Sequence, residues 1–478
     1  MNGLSQKRYL ELPLPTEDDP RSDQQRILDS LAAAGVEERV HIPVHILRQL
    51  YPLLDNAKWK ITVSLAWNGE NWEMVEIEEG DTTAQHYGLA VDLGSTTVVA
   101  RLLDCNSGEI LKEVSSFNKQ IQWGTDILSR IFYCKDNREK LEEVRRATVE
   151  SICECMDKLD ASHSALSMVI AGNTTMIHFL LGMDAFCVFY TPHAVHADRP
   201  GFQLARDLDI PLKGYVYCYP AKSNYLGGDI ISGMIDTELY KKNEISVFFD
   251  IGTNGELVIG NKEFLLCGAG AAGPALEGGV VRTGMRAEAG AVDEVKIRDG
   301  NIYVHVIGSH KEDSGSHEKN SGNHEDNSSG EEPQGICGSG IIDLIAELFL
   351  EGWIDIRGKF STEKSPLIQE RDNQLCVEYA PGLYFYQKDI DEFIRTKSAA
   401  HTMVEIMLRE SGLDLDQADR FYVAGAFGKH VSKESAITIG MYPDMDRDHI
   451  INAGNSSLEG AQKLLLNRSL LTDIDQIL

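Results

Sequence analysis

No run of apolar residues in this chain is long enough to cross a bilayer, and residues 1–19 are polar and acidic where a secretory signal would be apolar. Those two absences point to a cytoplasmic protein. Positive charge is scarce as well: 45 Lys and Arg stand against 74 Asp and Glu, a formal net charge of −29. Such a surface repels phosphate backbones and anionic lipid, so neither nucleic acid nor membrane is expected as a partner. The nine cysteines, at positions 105, 134, 153, 155, 187, 218, 267, 337 and 376, form no disulfide framework, in keeping with a reducing compartment. They form no cluster motif either. A two-iron ferredoxin centre needs four thiolates, usually three of them within about ten residues of one loop. Only Cys153 and Cys155 are close, and at that spacing on a helix they point apart. No iron–sulfur cluster is expected in the chain.

What is present is an ordinary globular composition, 42% hydrophobic and 25% charged, over 478 residues, enough for two or three cores. Residues 1–22 read as a linker, rich in Pro, Asp and Glu from 12 to 20. Residues 23–84 read as a small α+β middle domain. Ile27, Leu28 and Leu31 fall at helical spacing, Pro43 opens a second helix through Leu53, and Asn68-Gly69 joins two strands as a hairpin. This module reads as a docking or dimerisation unit without chemistry of its own, which leaves a homodimer open.

Residues 85–243 read as a first lobe: strand, tight turn, strand, a third strand after Asn106-Ser107-Gly108, and one long helical stretch from 126 to about 159. Short strands follow at 168–171 and 215–219. Residues 244–478 open the same way, and the two Asp-x-Gly turns lie 158 positions apart (250 minus 92). A repeat at that scale predicts two similar lobes facing each other. Within the second lobe, residues 309–334 hold no apolar side chain; the segment cannot offset the entropy of ordering and is expected to be a disordered acidic insertion.

The turn Asp92-Leu93-Gly94-Ser95-Thr96-Thr97 has the make-up of a phosphate clamp. Gly94 lets backbone approach an anion, and the N–H groups and hydroxyls of Ser95, Thr96 and Thr97 are donors. Asp92, at a strand end, can hold a hydrated Mg²⁺. One such turn is more often an ordinary hairpin. Here it recurs as Asp250 followed by Gly252, Thr253, Asn254 and Gly255. Two Gly-rich strand ends come later, at Gly425-Ala426-Phe427-Gly428 and at Gly454-Asn455, where backbone leaves room for adenine and ribose. These turns and Gly-rich strand ends, in this order, point to a bound nucleotide.

The order of phosphate turn, phosphate turn, adenosine turn resembles the superfamily of acetate and sugar kinases, heat-shock chaperones and actin. That resemblance implies an α/β actin-like ATPase fold of two similar lobes with a nucleotide cleft, preceded by the small α+β module. Over nearly the whole chain the sequence is similar to the ATP-dependent reductive activators of corrinoid proteins. The likeness rests on AVDLGSTTVVARLLD, WGTDILSRI, AGNTTMIHFLLG, FDIGTNGELVIGNKEFLLCGAGAAGPALEGG, GMRAEAGAV, GICGSGIIDLIAELFLEGWID, VAGAFGKH and AGNSS. The family implies that ATP hydrolysis drives reduction of cobalt(II) to cobalt(I) in a corrinoid protein of a methyltransferase system. It implies Asp92 and Asp250 as the Mg²⁺-organising carboxylates. Asp229 occupies the place of a water-orienting carboxylate, although a helix-start Asp needs no function.

Family members carry a ferredoxin-like domain ahead of the linker, and this sequence starts at the linker, so the expected electron source is a separate low-potential donor or a missing domain. Two other readings compete with the activator: a non-redox ATP-driven chaperone or switch, and a small-molecule kinase, against which the chain shows no recognisable sugar or acid site.

Overall fold

The computed structural model describes residues 2–124, 126–161, 164–252, 255–270, 281–308, 332–414, 417–425 and 431–478. They divide into two compact units, Met1–Glu238 with Asn455–Leu478, and Leu239–Gly454. Most of the expected acidic insertion, residues 309–331, lies outside the described residues.

The first unit opens with a four-stranded sheet in the order Ser5–Glu11, Lys60–Trp67, Trp72–Glu79, Val40–His41. The expected hairpin is there: the Asn68 carboxamide oxygen accepts from the backbone of Glu70 and Asn71, and Gly69 takes the positive φ (+105°) that the turn requires. Ile61, Val63 and Leu65 face a core with Ile27, Leu31, Ile46 and Trp72, each burial contributing about 1.5–3 kcal/mol. The opposite face is also covered, with Ala66 and Val75 packing on Leu166. The strand Ser5–Glu11 falls within the segment the sequence presents as linker. Its charges obscure it, yet Lys7 is buried and reaches Glu78 at 2.6 Å.

The main sheet of this unit runs Ile110–Phe117, Thr97–Asp104, Tyr87–Leu93, Ala165–Gly172, Tyr215–Cys218, Gly201–Leu204. Its first three strands form an antiparallel meander, and the next two lie parallel to Tyr87–Leu93 and Ala165–Gly172 respectively. The second unit repeats this order in Leu265–Gly270, Gly255–Gly260, Ser246–Ile251, Arg420–Ala424, Ile450–Gly454. Again the meander is antiparallel and the last strands parallel, so the repeat seen in sequence is a repeat of topology.

The helical stretch expected from 126 to 159 is two helices, Ile127–Cys134 and Arg138–Lys158. The chain breaks because Asp136 adopts φ +57° and the Asn137 side chain caps the second helix by accepting from Lys140 N at 3.0 Å. Short polar side chains of this kind compete with the helix for backbone partners.

The end of the chain returns to the first unit. The helix Ser456–Leu466 packs on Gly228–Thr237 so closely that a Cβ on Gly460 would stand 1.9 Å from the Ser232 carbonyl oxygen. Two bonds lock the contact, Ser232 Oγ to Ser457 O at 2.7 Å and Tyr219 Oη to Gly460 O at 2.9 Å. Gly460→Ala must push the helices apart and should destabilise the protein by about 1–3 kcal/mol. A urea unfolding midpoint equal to the parent's would contradict this packing.

Candidate functional site

The strand Tyr87–Leu93 is buried except at its edges and delivers Asp92, half-buried, to its C-terminal end. Asp92 pairs in register with Val99 on one side and with Ala171 on the other. The turn that follows can only begin with glycine, because a Cβ on Gly94 would lie 2.5 Å from the Thr97 carbonyl.

All three carbonyls of this turn are gripped from one side. Gly94 O accepts from Asn118 Nδ2 at 3.0 Å, Ser95 O from Arg130 Nη1 at 2.5 Å, and Thr96 O from the Asn118 backbone N–H at 2.9 Å. In a trans peptide the C=O and the following N–H point in opposite directions. Holding Gly94 O and Ser95 O therefore aims the N–H groups of Ser95 and Thr96 away from the buried donors. Those two N–H groups, and the hydroxyls of Ser95, Thr96 and Thr97, meet no acceptor among the described residues. Successive unengaged amides of this kind make an anion-binding concavity.

Asp92 lies beside Asp229. The strand Tyr215–Cys218 leads through Gly227 into the helix Gly228–Thr237, and Asp229 is in its first turn, where its Oδ1 accepts from Ile230 N at 2.9 Å. Gly227 is needed for the approach, since a Cβ there would stand 2.5 Å from the Asn173 Cα and 2.8 Å from the Asp229 carboxylate. The partners of Asp92 are neutral: Asn455 Nδ2 donates at 2.9 Å and Ser457 Oγ at 3.0 Å. Burial raises the Asp92 carboxyl above its ordinary value, against the pull of those two bonds. Burial, with the Asp92 charge adding to it, pushes Asp229 up to about 7. Two neighbouring carboxylates share this titration, and among the described residues no cation pairs with either.

Asn455, expected at an adenosine turn, thus caps the helix Ser456–Leu466, accepting from Leu458 N at 2.9 Å, while its amide holds Asp92. Three residues that the sequence did not single out as functional join this site: Asn118, Arg130 and Ser457. Asn173, which caps Thr174–Leu180, stands behind Gly227.

Asp250, Gly252, Gly255, Gly425 and Gly454 lie in the second unit. Asp250 sits opposite Glu256 and beside Ala424, the place in its own sheet that Asp92 holds in the first. Gly425 N donates to Gly454 O at 2.9 Å, and both glycines have positive φ, +96° and +61°. Thr253, Asn254, Ala426, Phe427 and Gly428 lie outside the described residues. Among the described residues no group of three or more His, Cys, Asp or Glu is arranged to hold a metal ion directly, and no helix is long and apolar enough to cross a membrane.

Three sequence profiles of one family match the chain in succession: the RACo linker region over residues 1–84, the RACo middle region over 87–242, and the C-terminal ASKHA domain of RACo over 244–478. The chain is 30% identical over 405 residues to the corrinoid activation enzyme RamQ of Eubacterium limosum, covering 80% of this chain and 64% of RamQ. It is 25% identical over 404 residues to the [Co(II) methylated amine-specific corrinoid protein] reductase of Methanosarcina barkeri, covering 82% of this chain and 72% of that protein. The chain thus spans just under two thirds of RamQ's length. A solved structure of a reductive activator for a corrinoid, iron–sulfur protein superposes with a TM-score of 0.88 at 34% identity, over all of this chain and 75% of that one. The actin-like α/β fold with a small module ahead of it, expected from the motifs, is the fold observed, and the chain belongs to the RACo family.

Proposed function

We propose that this chain binds and hydrolyses ATP with the phosphates on the Gly94–Thr97 turn, and couples hydrolysis to one-electron reduction of cobalt(II) to cobalt(I) in a corrinoid protein. The electron comes from a low-potential donor. The observation that carries this reading is the pair of amides at Ser95 and Thr96, unengaged among the described residues and held outward by gripped carbonyls next to two carboxylates that no described Lys or Arg pairs. The names of RamQ and of the Methanosarcina barkeri reductase support the choice of partner.

The donor set fits a hydrated Mg²⁺. That ion prefers one or two carboxylates and keeps most of its waters, and Asp92 and Asp229 offer two carboxylates that mutual repulsion and burial leave in need of positive charge. When bound, the ion neutralises phosphate charge. Asn455 and Ser457 fix the Asp92 carboxylate in one orientation. Asp229, beside Asp92 in the first turn of the helix Gly228–Thr237, suits the role of orienting water against the terminal phosphate. Asp250, Gly252, Gly255, Gly425 and Gly454 keep their expected nucleotide roles as part of this reading. ATP hydrolysis can shift the cobalt equilibrium only through a differential affinity for the two corrinoid states.

Because Asp229 titrates higher folded than unfolded, the folded state holds extra protons between about pH 4 and 7, and stability falls as pH rises through that window. Asp229→Asn removes this loss. Without Mg²⁺ it should gain on the order of 1 kcal/mol at pH 8, about 2 °C for a unit of this size, and gain nothing at pH 4. Hydrolysis should meanwhile drop by about a hundredfold or more. Thermal melts at both pH values and a phosphate-release assay check the two halves; a variant that hydrolyses ATP like the parent would remove Asp229 from the chemistry.

The coupling itself is tested by anaerobic visible spectroscopy of a cobalt(II) corrinoid protein with titanium(III) citrate as donor. Donor with ATP and this chain should yield more cobalt(I) than donor alone, and omitting either ATP or the chain should abolish the difference. Equal yields with and without ATP would replace the activator by a non-redox, ATP-driven switch.

A further inference from the structure

Arg130 is completely buried, yet it has no carboxylate partner among the described residues. Its Nε donates to Gly124 O at 2.9 Å, and its Nη1 to Ser95 O at 2.5 Å and to Gln120 Oε1 at 3.2 Å. All three acceptors are neutral, and Nη2 is buried with no partner among the described residues. The nearby acid, Asp126, is engaged in capping the helix Ile127–Cys134 that carries Arg130, accepting from Ser129 N at 2.8 Å and Ser129 Oγ at 2.6 Å. Burial pulls the guanidinium down to about 10, which still leaves it charged at neutral pH.

A neutral donor could bridge these carbonyls, so the charge itself needs an explanation: a buried cation with only neutral partners is costly. What it touches supplies one. Arg130 grips the carbonyl of the Ser95–Thr96 peptide, and donation to a carbonyl polarises the N–H of the same peptide. That N–H is one of the two unengaged donors of the turn. The cation therefore sits directly behind the place where an anion would be received.

We infer that Arg130 is the positioning residue of the phosphate turn: it fixes the Ser95–Thr96 peptide outward and supplies behind it a positive charge that is bonded to no carboxylate among the described residues, so that the turn selects nucleotides by phosphate charge. This role rests on the nucleotide reading proposed above. It makes affinity rise from adenosine to ADP to ATP through one buried residue that touches no nucleotide.

The test is isothermal titration of the full chain with Mg-ATP, Mg-ADP and adenosine, in the parent and in Gln120→Glu, Arg130→Met and Arg130→Lys. Gln120→Glu places a carboxylate where Gln120 already accepts from Arg130, so that bond survives and the charge is cancelled, while the donation from Gln120 Nε2 to Thr148 Oγ1 is lost. It should weaken ATP about tenfold or more, weaken ADP less, and leave adenosine unchanged. Arg130→Met should show the same order of losses more strongly, and Arg130→Lys should recover part of the ATP affinity by restoring charge. If Arg130→Met does not fold, Gln120→Glu decides. ATP affinity in Gln120→Glu within twofold of the parent, or equal losses for ATP and adenosine, would overturn the role of Arg130 alone. A parent that binds no nucleotide would overturn the site reading first, and this role with it.

Discussion

The gripping of three successive carbonyls behind the Gly94–Thr97 turn is the constraint on which the rest of the site depends. Asn118 holds Gly94 O and Thr96 O, and Arg130 holds Ser95 O. Peptide geometry then turns the amides of Ser95 and Thr96 to the other side, at no further cost in ordering. The grip is itself anchored: Asn118 and Gln120 are wholly buried, Gln120 bonds Thr148 on the long helix, and Arg130 belongs to the helix Ile127–Cys134. A loop of Ser and Thr thereby gains the rigidity of the elements beneath it.

Next to this rigid turn the molecule keeps an unfavourable arrangement. Asp92 and Asp229 lie side by side with no cation paired to either among the described residues; burial raises both carboxyls, and the Asp92 charge adds to the rise at Asp229. The closeness is enforced by glycine, at Gly227 on one side, and by the Gly460 contact that brings Asn455 and Ser457 onto Asp92 on the other. Strain of this electrostatic kind is sustained only where surrounding packing over-determines the geometry, and it is expected where a cationic ligand relieves it.

Much of the fold is legible in the sequence because its signals are local. Asp-x-Gly between apolar runs announces each meander, Asn68-Gly69 announces a hairpin, and the apolar spacing of Ile27 and Leu31 announces a helix, all of which the structure contains. What escaped was non-local or masked by charge. Arg130 looks like one more surface cation on an amphipathic helix, since its acceptors come from 95, 120 and 124 and only folding brings them together. Ser5–Glu11 looks like a linker because Lys7 and Arg8 interrupt it, although the stem of Lys7 is buried. The break at Lys135–Asn137 was available in the sequence, as an Asp followed by an Asn with capping character. The position of Asn455 on Asp92 was not, for 363 residues separate the two.

The central claim is that the outward amides of Ser95 and Thr96 receive phosphate, and amide hydrogen exchange across residues 94–97 measures it directly. In the parent chain with Mg²⁺, saturating ATP should slow exchange at Ser95 and Thr96 by about tenfold or more, whereas adenosine at saturation should leave those two amides unchanged. Equal exchange at Ser95 and Thr96 with and without bound ATP would contradict the account, whatever else the nucleotide did to the protein.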